Sequence, residues 1–269
     1  MTGSEADQVD ALLFEVGDGI ATITLNRPEK RNAFTDGMVR RWVQLLQDAE
    51  MRDDVKVVVL TGTGTAFSAG GDIGDFREKA EESPIAVRDR LVTNAQSLAH
   101  ALTRMEKPVI AAVNGAATGG GMDVALLCDI RLASESARFA ETYARLGLVP
   151  GLGGAWLLPR LVGTARALDL LWTARWVDAA EAQSIGLVTH VFPDDTFRDK
   201  VASFAAQLAA APPMSLRYIK QLVRQSHDSD FDTHLDAVAT KLALVRTSSD
   251  HKEAIAARRD KRAPVFKGR

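Results

Sequence analysis

Pro108-Val-Ile-Ala-Ala-Val-Asn-Gly-Ala-Ala-Thr-Gly-Gly-Gly-Met-Asp-Val-Ala-Leu-Leu-Cys-Asp129 decides the fold. Its first part, residues 109–113, is a short run of small and β-branched apolar residues, the pattern of a buried strand. Asn114-Gly115 ends that run. Gly119-Gly120-Gly121 follows, and residues 122–127 suit a buried helix. The order is strand, glycine loop, helix. Three adjacent glycines carry a large conformational entropy, so the backbone needs their conformations or the open space above them. Their N–H groups fall at a helix N-terminus, whose dipole end favours negative charge. Such a place suits an anion, or an oxygen about to become one.

Outward from that unit, the composition describes an ordinary globular protein. The chain has 269 residues, 46% hydrophobic and 25% charged, with a net charge of −2. That length fits one α/β domain, or a core with an appendage. The charge balance gives no basis for nucleic-acid or membrane-surface binding. One cysteine, Cys128, excludes a disulfide framework and fits a reducing compartment. No apolar run reaches the length of a membrane span, and residues 1–10 lack a signal-peptide pattern. The expected location is the cytoplasm.

Strands are expected over 12–16 and 20–25, with Gly17-Asp18-Gly19 between them. Thr35 can cap a helix bearing Met38, Trp42, Leu45, Leu46 and Ala49 at helical spacing. A buried strand over 55–60 opens into a loop ending Phe67-Ser68-Ala69-Gly70-Gly71-Asp72. A helical stretch over 84–105 leads to the central unit. Beyond it, 130–133 reads as a strand, and 155–161, 165–172 and 178–185 as helices. Residues 187–191 read as a further strand. Past residue 196 strand signals stop, and helices fit 196–211, 214–226 and 231–246. The expected division is an α/β core over 1–195 and a helical appendage over 196–269, with a basic end from Arg258 that carries Phe266.

Several chemistries are absent from the text. There is no Gly-x-x-x-x-Gly-Lys-Ser/Thr phosphate loop and no Gly-x-Ser-x-Gly elbow. Gly151-Leu152-Gly153-Gly154-Ala155-Trp156 puts tryptophan where a dinucleotide fingerprint needs its third glycine. The five histidines are scattered without metal-ligand spacing, so no metal site is expected. Two glycine loops remain, each after a buried strand.

Here the sequence resembles the enoyl-CoA hydratase/isomerase (crotonase) family. The matching text runs in order: Leu25-Asn26-Arg27-Pro28 with Asn32-Ala33; Ala66 to Ile73; Asn114 to Gly121; Cys128-Asp129-Ile130-Arg131; Gly147-Leu148-Val149-Pro150 with Gly153-Gly154; and Arg262 to Phe266. The resemblance implies a spiral of ββα repeats and a C-terminal helical region that builds homotrimers or hexamers. It implies acyl-CoA thioester substrates and no cofactor beyond the coenzyme A they carry. The amides of Gly71 and Gly120 are implied to hold the thioester oxygen as an enolate forms. Lys30, Arg31, Ala33, Ala69, Asp72 and Ile73 are implied along the CoA arm, with Phe266 closing over CoA of the same or a neighbouring subunit.

The acid–base positions depart from the family pattern. Hydration needs one group to activate water and another to protonate the α-carbon. The first of the family's two glutamates falls on Asp123, and the second on Tyr143. A phenol with a pKa near 10 is a poor base at neutral pH, though a good hydrogen-bond donor. Glu141 reaches the same face as Tyr143 if the segment is extended, and diverges from it if helical. The acid that other members place after the Val-Pro pair is Gly151 here. The expectation is an enolate-stabilising acyl-CoA enzyme of enoyl-CoA hydratase type. A double-bond isomerase, a decarboxylase, or a non-catalytic acyl-CoA-binding oligomer are the alternatives.

Overall fold

In the computed structural model, residues 11–72, 74 and 82–268 are described. Strands β1 (Leu12–Gly17) and β2 (Ile20–Leu25) form an antiparallel hairpin. Asp18 and Gly19 turn it at positive φ, 51° and 80°. Helix α1 (Asp36–Met51) begins where Thr35 Oγ1 accepts the Met38 N–H at 3.3 Å. Met38, Trp42, Leu45, Leu46 and Ala49 all lie on its buried face, as their spacing requires.

The chain then repeats one unit. Strand β3 (Val57–Gly62) is followed by β4 (Ala66–Ser68), β5 (Val109–Val113) by β6 (Ala116–Thr118), and β7 (Ile130–Ser134) by β8 (Arg138–Ala140). The first strand of each pair joins a six-stranded sheet, and the second joins a four-stranded one. With β9 (Val177–Asp178) and β10 (His190–Phe192), the orders are β1-β2-β3-β5-β7-β10 and β4-β6-β8-β9. Each repeat advances both sheets by one strand, which is the expected spiral. Helix α2 (Pro84–Arg90), a π-helical turn (Leu91–Ala95) and α3 (Gln96–Arg104) separate the first two repeats, and α4 (Gly120–Leu127) the next two. Helices α5 (Gly154–Val162), α6 (Thr164–Thr173) and α7 (Ala179–Ser184) follow β8. The β-strand expected over 187–191 is shorter and later, starting at His190, with Leu187 and Val188 buried ahead of it.

Strand β5 and the first four residues of β3 are apolar and buried because the large sheet is covered on both faces. One face packs against Trp42, Leu98, Leu102 and Met122. The other, with Val57, Val59, Ile110, Ala112 and Leu132, packs against Phe197, Val201, Ala205 and Ala209 of α8 (Phe197–Ala209). The first helix past residue 196 is therefore a layer of the core. Three more helices complete the described chain: α9 (Pro213–Gln225), α10 (Phe231–Thr247) and α11 (Ser249–Arg259). Helix α11 did not appear in the sequence reading, although Ser248 caps it by accepting the His251 N–H.

Two lysines, one fully buried and one partly so, tie the layers together. Lys107, 2% exposed, donates to the carbonyls of Ala49 and Arg52 at the end of α1, at 2.7 and 2.6 Å. Lys220 of α9 donates to Asp129 Oδ2 at 2.6 Å and to the Lys107 carbonyl at 2.7 Å. Asp129 also accepts the Val109 N–H and an Arg224 N–H, so α9 is anchored beside the start of β5.

Candidate active site

The glycine loops come from equivalent places in successive repeats. One follows β4 and the other follows β6, and these strands pair in parallel. Their ends therefore emerge side by side at the carboxyl end of the strands, where open α/β sheets carry their ligands. A Cβ added to Gly70 would lie 2.8 Å from the Gly120 nitrogen, and one added to Gly120 would lie 3.5 Å from the Gly71 nitrogen. The N and Cβ of one residue are about 2.5 Å apart, so the Gly71 and Gly120 nitrogens are at most about 6 Å apart. Two donors on one oxygen can be that far apart and no farther.

Local sequence explains why both amides are free. The Phe34 N–H donates to the Gly70 carbonyl and the Asp72 N–H to the Phe34 carbonyl, which leaves the Gly71 N–H between them without an acceptor among the described residues. Asn32 supports this arrangement from a left-handed backbone (φ 57°), donating to the carbonyls of Thr63 and Ala66 and accepting the Arg27 N–H. Gly120 opens α4, where first-turn N–H groups have no intrahelical acceptor. Gly119 before it adopts φ 49°, ψ −121°, a conformation open to glycine alone.

Asp123 stands one turn into α4 and is fully buried. Its Oδ2 accepts the Tyr143 hydroxyl at 2.7 Å and the Leu152 N–H at 3.1 Å. Glu141, 1% exposed, sits just before a 3-10 turn (Thr142–Leu146) that holds Tyr143. The segment is thus neither extended nor α-helical through 143, and all three side chains meet. A Cβ on Gly154 would lie 2.1 Å from Asp123 Oδ1 and 2.9 Å from Glu141 Oε1, so the two carboxyls share the space above that glycine. Burial raises the Asp123 pKa to about 6, against the pull of its donors. Burial, and then Asp123 itself, hold Glu141 well above the usual carboxylate range. Burial and the same carboxyls push the Tyr143 phenol up as well.

The other expected residues divide. Lys30 and Arg31 are exposed and Ala33 is buried in the turn that clamps the first glycine loop, with the Arg31 carbonyl accepting the Ala69 N–H at 2.9 Å. The Asp72 carboxylate is already committed to Arg27 at 3.1 Å and the Gly74 N–H at 3.0 Å. Burial raises its pKa, but the Gly74 amide and Arg27 outweigh burial and leave it low. Ile73 lies outside the described residues. Phe266 is not brought to this site within one chain. Its neighbours Lys267 and Gly268 donate to Asp250 at the start of α11 and line a 510 Å³ cavity with Lys56 and Pro108, at the opposite, amino end of the strands.

Three contributors escaped the sequence reading. The Phe34 ring tip lies 2.9 Å from a Cβ placed on Gly120, and the ring packs edge-on to Trp42. Leu152 contributes only its amide. Gly154 contributes only the absence of a side chain, and its place in the Gly153-Gly154 pair was the available signal.

The class is an α/β spiral with glycine loops at the strand ends beside a buried acidic cluster. A family model, enoyl-CoA hydratase/isomerase, matches residues 15–269. The 1,2-epoxyphenylacetyl-CoA isomerase of Escherichia coli K12 is 36% identical over 262 residues, covering 97% of this chain and 100% of the relative. The 2,3-dehydroadipyl-CoA hydratase of the same organism is 36% identical over 250 residues, covering 93% and 96%. The crystal structure of an enoyl-CoA hydratase from Bacillus anthracis superposes with a TM-score of 0.90 at 31% identity, covering 96% and 100%. The chain belongs to the enoyl-CoA hydratase/isomerase family, an enzyme family acting on CoA thioesters.

Proposed function

We propose that this protein adds water to 2-enoyl-CoA thioesters. In this reading the amides of Gly71 and Gly120 hold the thioester oxygen while it carries enolate charge. A single donor of this kind contributes about 3–4 kcal/mol to the barrier. Asp123 transfers the proton, Tyr143 orients it, and Glu141 lies against it. The observation that carries the reading is the meeting of two amides without an acceptor among the described residues, beside a pair of buried carboxyls with raised pKa values. Hydration needs an acid and a base at one place, and one carboxyl that takes a proton from water and returns one to carbon serves as both.

Lys30 and Arg31 are assigned to the CoA phosphates, Ala33 and Ala69 to the pantetheine arm, and Asp72 to the same wall through its backbone. Phe266 is assigned to the CoA of a neighbouring copy in a homotrimer or a dimer of trimers. Ile219, Val223, Phe231 and Leu242, each more than half exposed on α9 and α10, supply apolar surface for that assembly. No helix among the described residues is long and apolar enough to cross a membrane. We place the protein in the cytoplasm.

Double-bond isomerisation is the second reading. A phenol stands where the family's hydratases carry their second glutamate, and it serves Asp123 rather than a second site. One carboxylate that removes and returns a single proton is enough for that reaction. The test offers the purified protein a short 2-enoyl-CoA and the matching 3-enoyl-CoA. Hydration consumes the conjugated-enoyl absorbance of the first, and isomerisation creates it from the second. Binding of both without either change would refute catalysis.

A further inference from the structure

Four carboxyl oxygens meet in one buried place, and among the described residues only Asp123 Oδ2 has a hydrogen-bond partner. Asp123 Oδ2 accepts from Tyr143 and Leu152. Asp123 Oδ1 and both oxygens of Glu141 are buried without a hydrogen-bond partner among the described residues. Asp123 Oδ1 and Glu141 Oε1 flank the same point above Gly154. Among the described residues, the groups acting most strongly on the pair are the Tyr143 phenol and the amides of Leu152 and Gly154, with no lysine, arginine or histidine among them. Two adjacent carboxylates cut off from water repel each other, and each loses its hydration. One proton on the pair removes the repulsion and creates the missing donor. The anion belongs where the donors are, on Asp123, and the proton belongs where there are none, on Glu141.

We propose that Glu141 is a positioning residue that stays protonated at neutral pH and donates its hydroxyl to Asp123 Oδ1. This rests on the reading of Asp123 as the proton-transfer group. Glu141 and Tyr143 then hold Asp123 from its two oxygens, and Glu141 never meets the substrate. Proton balance is simple. Asp123 takes one proton from the substrate or water and returns one to carbon, while the Glu141 proton stays in place. Gly154 is required because a Cβ there would occupy the space in which the two carboxyls meet.

The test is infrared spectroscopy of the intact protein at pH 7.5, without substrate. A protonated-carboxyl C=O band is expected in the parent, absent in Glu141→Gln and retained in Asp123→Asn. No band in the parent, or a band that survives Glu141→Gln, overturns the proposal. Glu141→Gln keeps a donor, whereas Glu141→Leu does not. The kcat of Glu141→Leu should be at least tenfold below that of Glu141→Gln, and the acid limb of its pH profile should move upward. Equal kcat values with an unmoved limb would also overturn it. Should Glu141→Leu fail to fold, the infrared comparison decides. Because that comparison involves no turnover, it stands or falls separately from the catalytic reading, which Asp123→Asn tests on its own.

Discussion

Gly121→Ala adds one methyl group at the most crowded point of the glycine triplet. Its Cβ would lie 2.2 Å from the Ser68 carbonyl oxygen, 2.7 Å from the Ser68 carbonyl carbon and 2.8 Å from Ser68 Cβ. Ser68 cannot retreat, because its hydroxyl donates to the Asn32 carbonyl at 2.8 Å and accepts the Gly70 N–H at 3.1 Å. Restoring ordinary contact needs about 1 Å of separation between α4 and β4, the elements that carry the Gly120 and Gly71 amides. Overpacking against backbone costs about 3 kcal/mol, at the upper end for one added methyl. For a chain of this size that lowers Tm by about 5–10 °C. Drawing the amides apart by ~1 Å should lower kcat/KM about 100-fold. Thermal unfolding by circular dichroism and turnover of a short 2-enoyl-CoA measure the two effects. Gly17→Ala, with open space at its Cβ position, is the neutral control. A Gly121→Ala protein with the parental Tm and full turnover would refute the rigid seating of α4 on β4.

Asp123→Asn should lower kcat/KM by about 10²–10⁴-fold, the range for loss of a general acid–base group, in the same turnover assay. The Asp123 pKa of about 6 predicts that kcat/KM falls as pH drops below about 6. The folded chain also keeps a proton that the unfolded chain has released, so this group's stabilisation is complete below about pH 4 and is lost as pH rises through 6. Urea midpoints measured across that window check the sign. Tyr143→Phe removes a donor that lowers the Asp123 pKa, so the acid limb should shift upward. Lys107→Met strands the carbonyls of Ala49 and Arg52 and should cost about 2 kcal/mol in denaturant unfolding, with kcat unchanged.

The sequence announced the long elements and the glycine loops because both rest on local signals. The run over 109–113 had to be buried, and Gly119 had to leave the right-handed regions. The four-stranded sheet was silent because β4, β6 and β8 are three residues long, too short for a period-two pattern to show. The role of α8 was hidden for another reason: Phe197, Val201, Ala205 and Ala209 make an ordinary apolar stripe, and only the fold reveals that it covers the sheet. At the site, Asp123 was legible because the family resemblance sets the first of the two glutamates on it. The partnership with Glu141 was not, because it depends on the turn beginning at Thr142 and on empty space at Gly154.

Neighbouring strands of a ladder lie about 4.8 Å apart, a distance fixed by backbone hydrogen bonds and indifferent to side chains. Gly71 and Gly120 hang from two such neighbours, β4 and β6. The cradle proposed for the oxygen is therefore a ruler built of main chain, which amino-acid exchange around it barely disturbs. The groups that move protons hang instead from α4 and the 141–146 turn, where one exchange such as Tyr143 rewrites them. A scaffold divided in this way can keep its grip on a thioester while descendants trade one proton chemistry for another.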